Sequence, residues 1–192
     1  MCHIEGTGTM YSTTNPSAVR SRNEITKALL KLMGKYPYNE ITVTMIVMET
    51  DLVRKTFYRN FDSKDDVLDS IINKAIIEYA NTLVESDDDP LTIIFSFCEK
   101  NKKLLKLLHK NNMLYLLLLK LNDTLPKVSE TKDKERNPFV KLMNGLEPDY
   151  LIAFNIGAIW NVIFKWVERG MTDSPEKIKA TLNEYTKRLI LL

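Results

Sequence analysis

The sequence is poor in residues that break a chain and in residues that hold metals. Six glycines and seven prolines in 192 residues are too few for a protein of many tight turns, so an all-α chain of long helices is expected. Cys2 and Cys98, with His3 and His109, are too few and too far apart for a disulfide framework or a metal centre. No glycine-rich phosphate loop, nucleophile–base pair or paired acid–base set is present, which argues against an enzyme and against a cofactor. Apolar runs are short, as over 114–119, or interrupted, as 151–167 is by Asn155, Asn161 and Lys165, so no membrane span is expected. The opening MCHIEGTGTMYSTTN lacks the apolar centre of a secretion signal and reads as a disordered leader over 1–16. A cytoplasmic protein follows from these absences.

What is present is ordinary in amount and uneven in placement. A hydrophobic share of 44% and a charged share of 27% suffice for a substantial core. The net charge of +2 conceals an asymmetry: residues 17–64 hold nine Lys and Arg against five Asp and Glu, or +4, which leaves −2 elsewhere. A basic N-terminal third suggests a polyanionic partner.

Apolar periodicity places a helix over about 17–35, with Ile25, Ala28, Leu29 and Leu32 on one stripe, broken by Gly34, Pro37 and Asn39. Thr42 caps a second short helix whose inner face is Val43, Ile46 and Val47. A tight turn at Asp51 and Leu52 leads into a third helix over 53–60. Ser63 and Asp66 form a capping box for a longer helix to about 84. Helices over 91–100, 102–109 and 112–121 follow, and the charged stretch 124–138 reads as a loop with some helical character. Pro148 opens a long apolar helix stopped by Gly170, and Ser174 with Pro175 starts the last one.

The informative stretch is TFYRNF, residues 56–61, where rings and cations alternate. Three short helices with a tight turn, all in a basic segment, describe a helix-turn-helix unit for double-stranded DNA. On the third helix Arg54, Lys55 and Thr56 occupy the first turn, the end that typically enters the major groove. Arg and Lys can read guanine O6 and N7 there, and Thr56 can meet a thymine methyl or a phosphate. Tyr58 and Arg59 flank that end within reach of the backbone, while Phe57 and Phe61 anchor the helix inward. Lys64 opposes the dipole at the start of its helix, a penalty that a phosphate would reverse, and Thr42 and Thr44 could contact phosphate at the start of theirs. In the C-terminal half, the helix over 148–169 is apolar on nearly every side. One side then faces its own domain and the other a twin subunit, with Ala153 and Gly157 allowing close approach.

The segment ITVTMIVMETDLVRKTFYRNFDSKDDVL resembles the N-terminal domain of TetR/AcrR-family transcriptional regulators, most specifically over 56–68. The resemblance covers about 23–72, and the tail IGAIWNVIFKWVERGMTDSPE is also similar. Two positions depart from the pattern: Asp51 replaces the turn glycine, whose place calls for a left-handed backbone, and Val53 replaces a capping Ser or Thr. The resemblance implies a DNA-binding domain over 17–64 and a helical regulatory and dimerisation domain over 65–192. It implies a homodimer on a palindromic operator, a repressor released by a small, largely apolar effector; control by a protein partner is the alternative. Ala153, Gly157, Trp160, Phe164, Leu182, Tyr185 and Leu189 would form the dimer interface. Phe97, His109, Met113, Tyr115, Phe154 and Asn161 would meet the effector.

Overall fold

Asn15 caps the first helix: its carboxamide oxygen accepts the Ser17 N–H at 3.0 Å, and Pro16 fills the first turn, where no N–H is needed. The computed structural model describes residues 15–129 and 147–190, so the predicted leader, apart from Asn15 and Pro16, and much of the predicted loop lie outside the described residues. Among these residues there are nine α-helices and no strand. They are α1 Pro16–Lys35, α2 Val43–Met48, α3 Arg54–Asn60, α4 Lys64–Glu85, α5 Pro90–Lys100, α6 Lys102–Lys110, α7 Tyr115–Ser129, α8 Pro148–Glu168 and α9 Pro175–Ile190. The all-α expectation holds.

Local chemistry sets the boundaries. The Ser63 hydroxyl accepts the Asp66 N–H at 3.1 Å, and the Asp66 carboxylate accepts from Asp62 at 3.1 Å, one residue earlier than a standard capping box. Asp89 caps α5 through the Thr92 N–H at 2.9 Å, with Pro90 beside it. Between α8 and α9 the chain reverses through Gly170 and Met171, with φ of 74° and 57°. Glycine takes that conformation without steric cost.

One expectation needs correction. The stretch from Thr124 is helical at least to Ser129, since α7 runs through Pro126 rather than ending near 121. Leu125 packs against the core there, and Lys127 pairs with Asp123 at 2.7 Å across the proline. Tertiary burial and a local ion pair outweigh the lost backbone bond.

Helices α1–α3 form a small head in which α1 lies against both of the others. The long α4 joins the head to the rest and packs on α1, α5 and α7; α8 lies against α6 and α7, and α9 against α5. A single buried apolar cluster runs without interruption from Ile25 to Met171, including Phe57 and Phe61 in the head and Phe95, Leu117 and Trp166 beyond it. Close packing is therefore continuous between the helical half and the head.

Candidate nucleic-acid interface

The turn between α2 and α3 is built differently from the sequence expectation. Asp51 has no left-handed backbone; among described non-glycine residues only Asn112 and Met171 have positive φ. Instead the Thr50 hydroxyl donates to the Val47 carbonyl at 2.8 Å and accepts the Leu52 N–H at 3.2 Å. A threonine side chain thus does the local work that a glycine backbone would otherwise do. Thr42 caps α2 through the Met45 N–H at 3.2 Å, and Thr44 is exposed. Val53 supplies no side-chain cap to α3, whose first turn is closed by Thr56 N–H to the Val53 carbonyl at 2.8 Å.

On α3 the rings and cations separate by side. Phe57 and Phe61 are 0% and 2% exposed, with centroids 6.2 Å apart. Arg54, Lys55, Tyr58 and Arg59 are exposed, and Thr56 is half-buried. Arg54 donates to the Tyr58 hydroxyl at 3.2 Å, with its guanidinium carbon 5.6 Å from that ring. Lys55 and Arg59 make no hydrogen bond or ion pair with the described residues. The outer side of α3 is therefore a compact cationic ridge on an apolar foot.

Lys64 is engaged inside the protein, which changes its sequence-based reading. Its ammonium donates to the carbonyls of Tyr38 and Ile41 at 2.8 Å each and of Asn39 at 3.3 Å, and lies 4.6 Å from the Tyr38 ring centroid. The unfavourable charge at the start of α4 is thus compensated by the carbonyls of the 3-10 turn at Tyr38–Glu40, and no phosphate is needed to explain it. Tyr38 in turn donates to Asp65 at 2.6 Å; burial foremost, and then that carboxylate, push its phenol pKa well above the usual range.

Arg22 is a residue that no sequence pattern singles out. It donates to the Asn60 carbonyl at the end of α3 at 2.8 Å and lies 4.2 Å from the centroid of the Phe61 ring. A cation at a helix C-terminus complements the dipole, and Arg22 thereby ties the end of α3 to α1. Its partner is 38 positions away, beyond the reach of any local pattern. Lys31 pairs with Glu49 and ties α1 to the end of α2; that hydrogen bond holds the Glu49 carboxyl below its ordinary pKa, with a further contribution from Lys35.

The six residues proposed for an effector do not line one cavity. Tyr115, Phe154 and Asn161 are exposed, Phe97 is half-buried with its ring 5.2 Å from that of Tyr79, and His109 lies edge-on to Phe164 at 5.8 Å. Met113 packs at the margin of the core. The helical period explains the separation: positions 154 and 161 fall on the side of α8 opposite the buried Ile156, Trp160, Ile163 and Val167.

The set proposed for dimerisation divides as well. Trp160 is 8% exposed and faces its own core rather than the outer side of α8, contrary to the sequence expectation; Leu182 is partly buried against the same core. Ala153, Phe164 and Tyr185 are exposed, and no heavy atom lies within 4 Å of a Cβ placed on Gly157. The Leu189 side chain lies outside the described residues. Tyr150 at 80% and Phe154 at 72% exposure add two rings to this outer side of α8. The helix is long and apolar enough to cross a membrane by length and composition alone, over Asp149–Glu168.

Comparison with known proteins agrees with this geometry. Residues 25–71 match the family described as bacterial regulatory proteins, tetR family, which spans the head and the start of α4. Residues 85–188, more than half the chain, match the family described as transcriptional regulator C-terminal region. No curated protein matches the sequence significantly. Among solved structures, the dihydroxyacetone kinase operon activator DhaS superposes with a TM-score of 0.55 at 20% identity, covering 91% of this chain and 98% of its own. At that identity the likeness speaks for the fold alone. A helix-turn-helix head with a cationic ridge, a helical body of matching family and a shared architecture together make this chain a member of the TetR family of transcriptional regulators.

Proposed function

We propose that two copies of this chain join through the outer sides of α8 and α9 and bind a palindromic operator as a cytoplasmic homodimer, repressing transcription by occupying it. The observation that carries the reading is the division of labour on α3, with Phe57 and Phe61 inside and Arg54, Lys55, Tyr58 and Arg59 outside. Arg54 and Lys55 would enter the major groove, Thr56, Tyr58 and Arg59 would meet base edges or backbone at its rim, and Thr42 and Thr44 would meet phosphate from α2. Lys64 acts indirectly by holding the loop before α2. Twofold symmetry sets two heads about 34–36 Å apart, one turn of duplex. The rings of Tyr150, Phe154, Phe164 and Tyr185 supply apolar contact for the twin subunit, which also accounts for the apolar length of α8 in a protein of this class.

Release by a small effector fits the family and the continuous core. Phe97, His109 and Met113, each partly buried, would meet an apolar ligand from inside one subunit. The sign of control is open to the opposite reading, since the structurally similar DhaS is by name an activator.

The test is DNA selected from a random pool, followed by affinity measurement across salt concentrations. With six to ten phosphates neutralised, log affinity should fall with log salt at a slope of about −5 to −9. Lys55→Ala and Arg59→Ala should each reduce that slope by about 2 where the lost cation meets phosphate, since the dimer loses one in each subunit. A flat salt response, or a monomer at micromolar concentration, would sink the reading.

A further inference from the structure

A second basic surface lies away from α3. Helix α6 reads KKLLKLLHK, with Leu104, Leu105, Leu107 and Leu108 buried and no acidic residue along its length. Lys102, Lys103, Lys106 and Lys110 line a groove of about 500 Å³ together with Gly34 and Leu107, where α6 meets the end of α1. Lysines four apart, as at 102 and 106 and at 106 and 110, repel one another on a helix, and such a row persists at a cost to stability. By contrast α9 intersperses Glu176 and Glu184 among its cations. The charges at the ends of the row are tethered: Lys102 approaches Glu99 at 3.6 Å and the Met171 carbonyl at 3.4 Å, and Lys110 donates to the Gly34 carbonyl at 2.6 Å. Lys103 and Lys106, in the middle, make no hydrogen bond or ion pair with the described residues.

We propose that this groove binds a small, multiply charged anion of the phosphorylated-metabolite class, and that its occupancy loosens the hold of α6 on the DNA-reading head. This rests on the regulatory reading above and adds to it a second, polar effector site. The groove is open to solvent and its lining is almost wholly apolar, so it suits a small ligand whose anionic group meets Lys103 and Lys106 beside it, whereas a duplex backbone needs a continuous track. Gly34 is twelve residues beyond Arg22, where α3 is tied to α1, which is about 18 Å along the helix axis. The groove therefore lies apart from that end of α3.

The route to the head is short. Lys110 is both a wall of the groove and a donor to the last turn of α1. Next to it, Asn111 donates to the Met33 carbonyl at 3.4 Å and accepts the Tyr38 N–H at 2.8 Å. Tyr38 belongs to the 3-10 turn that Lys64 holds in front of α2. An anion between Lys103 and Lys106 attracts the Lys110 ammonium away from Gly34. The polar latch between the end of α6 and the last turn of α1 then rests on Asn111 alone, the residue that also holds Tyr38. A ligand acts on the head to the extent that it binds the loosened state more tightly.

Titration calorimetry of the full-length protein with inorganic tripolyphosphate, at constant ionic strength and without DNA, tests the site. One site per chain is expected, weakened about tenfold in the double variant Lys103→Gln, Lys106→Gln, which should melt near the wild-type temperature because both side chains are exposed. On selected DNA, tripolyphosphate should lower the affinity of the wild type and leave that of the double variant unchanged. No binding, equal binding by the variant, or binding lost instead in Lys55→Ala, Arg59→Ala overturns the proposal. So does an unliganded double variant whose DNA affinity falls further as the duplex flanks are lengthened, because the groove would then hold DNA backbone. The DNA-free titration separates failure of this site from failure of the operator reading.

Discussion

Helices α3 and α8 both carry aromatic side chains in unexpected company, and they resolve the conflict in opposite ways. In α3 the rings of Phe57 and Phe61 turn inward and the cations outward, so the head is complete within one subunit. In α8 the inward places are taken by Ile156, Trp160, Ile163 and Val167, and Tyr150, Phe154 and Phe164 are left outside. A helix of seven residues has one inner side to fill, whereas one of 21 residues with an apolar surround has more apolar surface than a single core can cover. The rings of α3 are therefore covered within one subunit, in a core shared with α4, whereas those on the outer side of α8 are exposed.

Phe57→Ala sharpens this contrast most. Removing a fully buried ring should cost about 3–5 kcal/mol and lower the thermal midpoint by about 6–20 °C, measurable by circular dichroism. If the loss were below about 1 kcal/mol, α3 would not be anchored as described. The reciprocal change on α8, Phe154→Glu with Phe164→Glu, should leave the subunit fold nearly unaltered while light scattering shows the mass of a single chain. The salt slope of DNA binding should then fall to about half, since one head would meet one half-site. An unchanged dimer would place the twin contact elsewhere. Arg22→Ala should have the smallest effect, about 1–2 kcal/mol in urea unfolding with an unaltered m value, because it removes one charge-assisted bond at a partly exposed position. Its DNA affinity should fall although Arg22 is given no DNA contact; affinity unchanged beside lost stability would show that α3 keeps its angle unaided.

Much of the framework was legible in order along the chain because its signals are local. Pro16, Ser63, Pro90 and Pro175 mark helix starts through the few backbone groups beside them, and the caps at Thr42, Ser63 and Ser174 act within three residues. The turn before α3 is not legible from Asp51, because the hydroxyl of Thr50, one residue earlier, closes it. The sequence suggests a phosphate for Lys64 because its three carbonyl partners lie 23 to 26 residues upstream, outside any local pattern. Trp160 and Phe154 exchanged sides for a related reason: in a helix apolar all round, periodicity does not say which side meets the core.

The sequence by itself determined that this chain is all helical, where most helices begin, and that residues 53–61 join an apolar foot to a cationic ridge. These follow from backbone capping and a 3.6-residue period, which act over a few residues. Only the tertiary structure decided the pairing of Arg22 with Asn60, the capture of Lys64 by the turn, the side of α8 left uncovered and the meeting of α6 with the end of α1. Each is a contact between positions far apart in the chain, set by how helices pack rather than by what any stretch of residues prefers.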